Sequence, residues 1–145
     1  MTPEEARHIT FSFGRVFPYR SKLTSVFYEK VFEIAPEARA LFPKDMSGQK
    51  EKLAHTLNLV VTNLNKLDET LAAVTALGAR HAGYGATEAH YDVVGIALIA
   101  ALKQVTPGGL SAEEEHAWIA AYNVISQVMI DGARKAEAEA LRQSA

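Results

Sequence analysis

Apolar residues recur along this chain with the period of a helix. Leu53, Leu57, Val60, Val61 and Leu64 fall at i, i+4, i+7, i+8 and i+11, and Tyr91, Val94, Leu98, Leu102 and Val105 at i, i+3, i+7, i+11 and i+14. Each set lays one apolar stripe along an amphipathic helix. Trp118, Tyr122, Ile125 and Met129 repeat the spacing after Ser111-Ala-Glu-Glu, where the serine can cap a helix and the carboxylates suit the positive end of its dipole. No stretch of strand length alternates apolar and polar residues. Pro3, Pro18, Pro36, Pro43 and Pro107 fall near the edges of the periodic segments, because a residue without an N–H breaks a helix interior. Pattern and punctuation predict an all-α chain with helices at about 4–17, 20–35, 37–42, 48–65, 69–81, 88–105 and 111–138. Gly108-Gly109 make a sharp stop, and Gly78, Gly83 and Gly85 crowd the chain around His81. The Ala/Glu-rich tail from Ala133 to Ala145 extends the last helix or frays.

Composition narrows the chemistry. With 145 residues, 48% of them apolar, the chain suits one domain spanning 1–145 with a sizeable core. The 15 Lys and Arg against 17 Asp and Glu include no basic block, which argues against nucleic acid and anionic membranes as partners. No apolar run approaches the roughly 20 residues of a membrane span, and the acidic start MTPEEARHIT lacks the charge of a signal peptide. A cytoplasmic protein is expected. The absence of cysteine removes thiolate zinc sites, iron–sulfur clusters and thiol nucleophiles.

Histidines then remain the best transition-metal ligands: His8, His55, His81, His90 and His116. None is paired as HxxxH or HExxH, so a zinc centre is disfavoured, and a di-iron centre is not expected either. A lone histidine serves a metal best where a cofactor provides the other ligands, and haem is the common case. By itself His81 reads more readily as a last-turn cation placed for a helix dipole, or as a partly buried core histidine, than as a ligand. Taken alone, Tyr28 reads more readily as a core residue whose hydroxyl reaches a carbonyl, Phe42 as plain packing, and Gln49 as an exposed residue at a corner. His55 is expected on the surface, His8, His90 and His116 as solvent or cap residues, and Glu113-Glu114-Glu115 as a solvated helix start.

Several segments occur in an ordered series: Phe27-Tyr28-Glu29-Lys30-Val31-Phe32, Pro36-Glu-Ala-Arg-Ala-Leu-Phe42, Gly78-Ala-Arg-His81 and His90-Tyr91-Asp-Val-Val-Gly95. Gln49 lies 7 residues after Phe42, and His81 lies 32 after Gln49. From about Leu23 to Met129 the chain resembles a bacterial single-domain globin related to the globin half of flavohaemoglobins. The resemblance implies a globin fold of about six to eight helices packed around a haem pocket, with haem b as cofactor. Within it His81 matches the proximal iron ligand, Phe42 the aromatic that wedges the ring, and Tyr28, Gln49 and Leu53 the ligand-side pocket. Leu53 stands one turn beyond Gln49 on the same helix face, and Tyr28 carries a hydroxyl on an apolar body. His81 would donate through Nδ1–H to a carbonyl near Leu77, leaving Nε2 for iron.

The implied activity is reversible binding of dioxygen at ferrous iron with high affinity, for storage, transport or nitric oxide detoxification, with nitric oxide and carbon monoxide as further ligands. Tyr28 and Gln49 would be the donors to the ligand. Other classes stay open: a nitric oxide dioxygenase or peroxidase-like enzyme served by a separate reductase, or a sensor or interaction module. The sequence ends at Ala145 with no flavin domain, so turnover would need electrons from another protein. Tyr91 matches the tyrosine of the network that enriches the proximal histidine in flavohaemoglobins. Its glutamate partner has no counterpart in Met129-Ile-Asp-Gly-Ala133, where Asp131 could substitute only if the last helix were rotated or shifted. The oligomeric state is open.

Overall fold

A computed structural model describes residues 2–144, apart from the side chains of 67–71 and 144. Helices make up 87% of the structure, with no strand among the described residues. The order is α1 (Pro3–Val16), α2 (Arg20–Ile34), α3 (Ser47–Thr62), α4 (Leu67–Gly83), α5 (Glu88–Val105) and α6 (Ala112–Ser144). Short 3₁₀ helices at Phe17–Tyr19, Pro36–Leu41 and Leu64–Lys66 join the first four. Among the described residues no helix is long and apolar enough to cross a membrane.

Local chemistry sets most of the boundaries. Thr2 accepts from the Glu5 amide at 3.1 Å while the Glu5 carboxylate accepts from the Thr2 amide at 3.4 Å, a reciprocal cap with Pro3 at the first helical position. The predicted helix at 48–65 instead ends at Thr62, where Asn63 turns its amide back onto the Leu59 carbonyl at 2.7 Å. His90 is a cap residue: its Nδ1 accepts from the Thr87 amide at 3.0 Å. The Ala/Glu tail extends α6 as far as Ser144, in keeping with the high helix propensity of its residues.

The core forms where α5, burying Ala97, Leu98, Ala101 and Leu102, packs on α2, which buries Leu23, Val26, Phe27, Tyr28 and Val31. α1 is tied to α6 by polar groups. The Trp118 Nε1–H donates to Ser12 Oγ at 3.1 Å. Arg15 donates to Glu114 Oε2 at 2.5 Å and to the Gly109 carbonyl at 2.6 Å. Glu114 therefore departs from the solvated helix start expected at 113–115: it is only 5% exposed. The reason is a capping box, in which Ser111 Oγ accepts from the Glu114 amide and Glu114 accepts from the Ser111 amide, turning that carboxylate inward to meet Arg15.

Burial pushes the Glu114 carboxyl up, but hydrogen bonds from Arg15 and the Ser111 amide outweigh it and leave the group below its ordinary value. Its contribution to stability is thus present above the ordinary carboxylate pKa and lost as the pH falls through the folded one. Glu114→Gln is expected to cost about 2–3 kcal/mol at neutral pH, less than a wholly enclosed pair because Arg15 is partly exposed. Urea unfolding at pH 7 and pH 3 checks it, and a deficit equally large at both would contradict the assignment.

α4 lies against α6 at backbone distance. A Cβ on Gly78 would stand 2.1 Å from the Met129 carbonyl oxygen, and one on Gly132 would stand 2.4 Å from that of Thr75. Each helix therefore presents a bare Cα to the other's main chain. After α4 the chain turns back through Gly85 at φ 96°, a left-handed conformation that favours glycine.

Candidate functional site

Two of the sequence-predicted residues meet directly. Tyr28 is buried on the inner face of α2, and Gln49 is half-buried in the first turn of α3. The Gln49 side-chain amide donates to the Tyr28 hydroxyl at 3.1 Å. Burial pushes the Tyr28 phenol up, and the hydrogen bond from Gln49 offsets this only in part. The group is therefore a neutral O–H near pH 7. Because its oxygen already accepts from Gln49, its own proton is left to be given to a third group, and a donated hydrogen bond polarises it for that purpose.

Phe42 completes an aromatic group with these. Its ring centroid lies 5.5 Å from Tyr28 and 5.7 Å from Phe32, both edge-on. The segment carrying Phe42 has left the 3₁₀ helix and is extended, at φ −120° and ψ 155°. Arg39 holds it there. The guanidinium donates to the carbonyls of Pro43 at 2.9 Å and Lys44 at 3.0 Å, with a longer contact to that of Phe42 at 3.4 Å. It also lies 5.4 Å from the centroid of the Phe32 ring. Leu53 is half-buried one turn beyond Gln49, and with Leu57 and Val60 it packs against the core.

His81 comes from a different element, the last turn of α4, and is half-buried. Its Nδ1 lies 2.9 Å from the Leu77 carbonyl, which can only accept, so Nδ1 carries the proton and the Nε2 lone pair is free to bind a metal. The Ala86 amide closes the turn on the His81 carbonyl at 3.0 Å, and the Tyr84 ring lies 6.1 Å from the imidazole. Among the described residues, none of Tyr28, Gln49 or Phe42 hydrogen-bonds or stacks with His81. The two groups belong to separate elements.

Tyr91 lies in the first turn of α5 with its hydroxyl buried and no hydrogen-bond partner among the described residues, and burial pushes its phenol up. Asp131 does not reach it. That carboxylate is exposed, accepts from Gln127 at 2.9 Å and lies 4.0 Å from Arg134. The substitution that would have required a rotated last helix is therefore not made. His55 is exposed, as expected, in a polar groove of about 580 Å³ between α2 and α3.

The globin family model matches residues 25–129, well over half of the chain. This chain belongs to the globin family. Membership implies haem binding, and globins bind diatomic gases. The globin is 29% identical over 114 residues to a flavohemoprotein of Vibrio cholerae, and 32% identical over 115 residues to flavohemoprotein A of Dictyostelium discoideum. Each match covers 75% of this chain and 28% of the relative, so the chain spans less than a third of the curated relatives it matches. Among solved structures, a bacterial globin from Campylobacter jejuni superposes with a TM-score of 0.79 at 26% identity, covering 92% of this chain and 97% of that one. An engineered carbene transferase from Rhodothermus marinus gives 0.86 at 21% identity over 97% of this chain and 99% of its own, a likeness of fold.

The residues present fit a haem. One imidazole is in the tautomer that leaves Nε2 free, and half-buried apolar side chains of Phe42, Leu53, Leu57, Val60 and Val94 flank the core. Nothing in the sequence pattern marks Arg39 as a support of Phe42, or the two glycines at the α4–α6 crossing as supports of His81. Arg39 stands within the Pro36–Phe42 motif, but nothing in the pattern shows a side chain reaching forward to three later carbonyls. Gly78 was visible only as crowding near His81.

Proposed function

We propose that this globin holds haem b through His81 Nε2 and binds dioxygen reversibly, with high affinity, on the face under Tyr28. Ferrous haem supplies the coordination position for a diatomic molecule; the selectivity and the residence time come from the chain. The observation that carries the reading is the Gln49–Tyr28 hydrogen bond inside an aromatic, water-poor group. It leaves one oriented phenol proton as the direct donor and makes Gln49 the residue that steers it, so the two amide and hydroxyl donors act in series. A polar ligand such as dioxygen gains more from that proton than carbon monoxide does.

Tyr28→Phe is expected to speed dioxygen release at least tenfold, the effect of losing a hydrogen bond of about 1.5–3 kcal/mol to a charged acceptor. Gln49→Leu is expected to act in the same direction but less, about two- to fivefold, since it removes orientation rather than the donor. Carbon monoxide release should change less in both. Stopped-flow ligand replacement measures all of these, and an unchanged dioxygen rate in Tyr28→Phe would remove that residue from the site. The uncompanioned Tyr91 hydroxyl favours binding over oxygen activation: among the described residues no carboxylate meets it to enrich His81. Rapid nitric oxide consumption with an added flavin reductase would instead favour the dioxygenase reading.

A further inference from the structure

On the side of α5 that faces solvent, an apolar groove of about 870 Å³ runs between α5 and α6. Its walls carry Ile96, 60% exposed, Ile99, and Ile119, 42% exposed. Ile99 also packs inward against the core, while Ile96 and Ile119 stand exposed beside it and leave an apolar surface open to a partner. Tyr122 stiffens the floor: its ring lies against Gly95, where an added Cβ would come within 2.8 Å, and its hydroxyl donates to the Tyr91 carbonyl at 2.6 Å. The wall of the groove is therefore fixed before anything docks.

The order of charges says what docks. Along this face of α5 stand Asp92, Ile96, Ile99 and Lys103, at spacings of four, three and four residues. The spacing reads the same in both directions while the charge reverses from end to end. A second α5 laid antiparallel across it in the register that sets Asp92 opposite Lys103 also sets Ile96 opposite Ile99. The charge pair and the apolar pair then each form twice, as an isologous twofold contact requires. Lys103 already lies 3.4 Å from Glu115, but both groups are substantially exposed, and so loose a pair leaves the ammonium able to bridge a second carboxylate.

We infer that this groove is the interface of a homodimer, with α5 of one copy packed antiparallel on α5 of the other and α6 flanking. The face is small. Eleven residues line it, against the roughly 20–30 a side of a standard stable interface, so the dimer dissociates in the micromolar range or above. Nothing in this assignment depends on haem.

Sedimentation velocity of the full chain over roughly 1 μM to 1 mM tests it. The wild type is expected to pass from monomer to dimer. Ile96→Glu should weaken the dimer at least tenfold while leaving helix content by circular dichroism intact, since that side chain points to water. Asp92→Lys should weaken it about three- to tenfold by setting two lysines together, and Asp92→Lys with Lys103→Asp should recover part of the loss by restoring opposite charges in the same register. A chain that stays monomeric at 1 mM overturns the inference, as does a dimer indifferent to Ile96→Glu. A double variant no tighter than Asp92→Lys alone overturns the antiparallel register.

Discussion

His81→Ala is expected to purify without the Soret absorbance of a ligated haem, or with only the weak, broad band of loosely held porphyrin. The imidazole is the one side chain of the candidate site whose nitrogen lone pair is left free by its own hydrogen bonding, because Nδ1 is committed to the Leu77 carbonyl. Removing the partner of a ligating histidine commonly costs 10–100-fold in metal affinity, so removing the ligand itself should cost more than about 100-fold. Added imidazole should restore part of the band by entering the space left behind. His55→Ala, in an exposed groove on the other side of α3, is the control and should keep the native spectrum. An intact Soret band in His81→Ala would end the proximal assignment, and with it the proposed gas binding.

Gly132→Ala is expected to destabilise the protein by about 3 kcal/mol or more, and Gly78→Ala similarly. The sign is the informative part. Glycine inside a helix is normally worse than alanine by about 1 kcal/mol, so both substitutions would ordinarily stabilise. Here the added carbon would meet main-chain carbonyl oxygens at 2.4 and 2.1 Å, and a backbone cannot rotate aside as a side chain can. α4 must shift away from α6, carrying His81 one turn further on. Gly14→Ala, in the last turn of α1 with nothing within 4 Å of the new carbon, should gain up to about 1 kcal/mol and serves as the reference. Thermal or urea unfolding gives the stabilities. A shifted or broadened Soret band in the two destabilised variants, absent in Glu114→Gln, which is destabilised at a site away from the crossing, would show that the crossing sets the histidine as well as the fold.

Helix existence was legible because it rests on local periodicity. The stripes at 53–64 and 91–105 mark α3 and α5, and the Ser111 start signal marks α6. What the pattern did not show is what depends on partners distant in sequence. Glu114 looks like one of three solvated carboxylates until Arg15, 99 residues earlier, is brought beside it. The split at Asn63 arises from a single side chain turning back on its own helix, which periodicity does not register. At the candidate site, Tyr28 and Gln49 match family positions 21 residues apart, but the direction of their hydrogen bond, and hence the serial arrangement of donors, depends on how α2 and α3 pack. Asp131 is the converse case: only the rotation of α6 decides where it points, and it points to water.

Arg39 turns its corner with one planar cation reaching three successive main-chain oxygens, in a stretch where the backbone carrying Phe42 is extended rather than helical. The corner therefore depends on a single side chain, while the ring itself rests on Tyr28 and Phe32. Lysine there, a point charge unable to span several acceptors, would loosen the hold on Phe42 and so offer an experimental dial on the proposed ligand release.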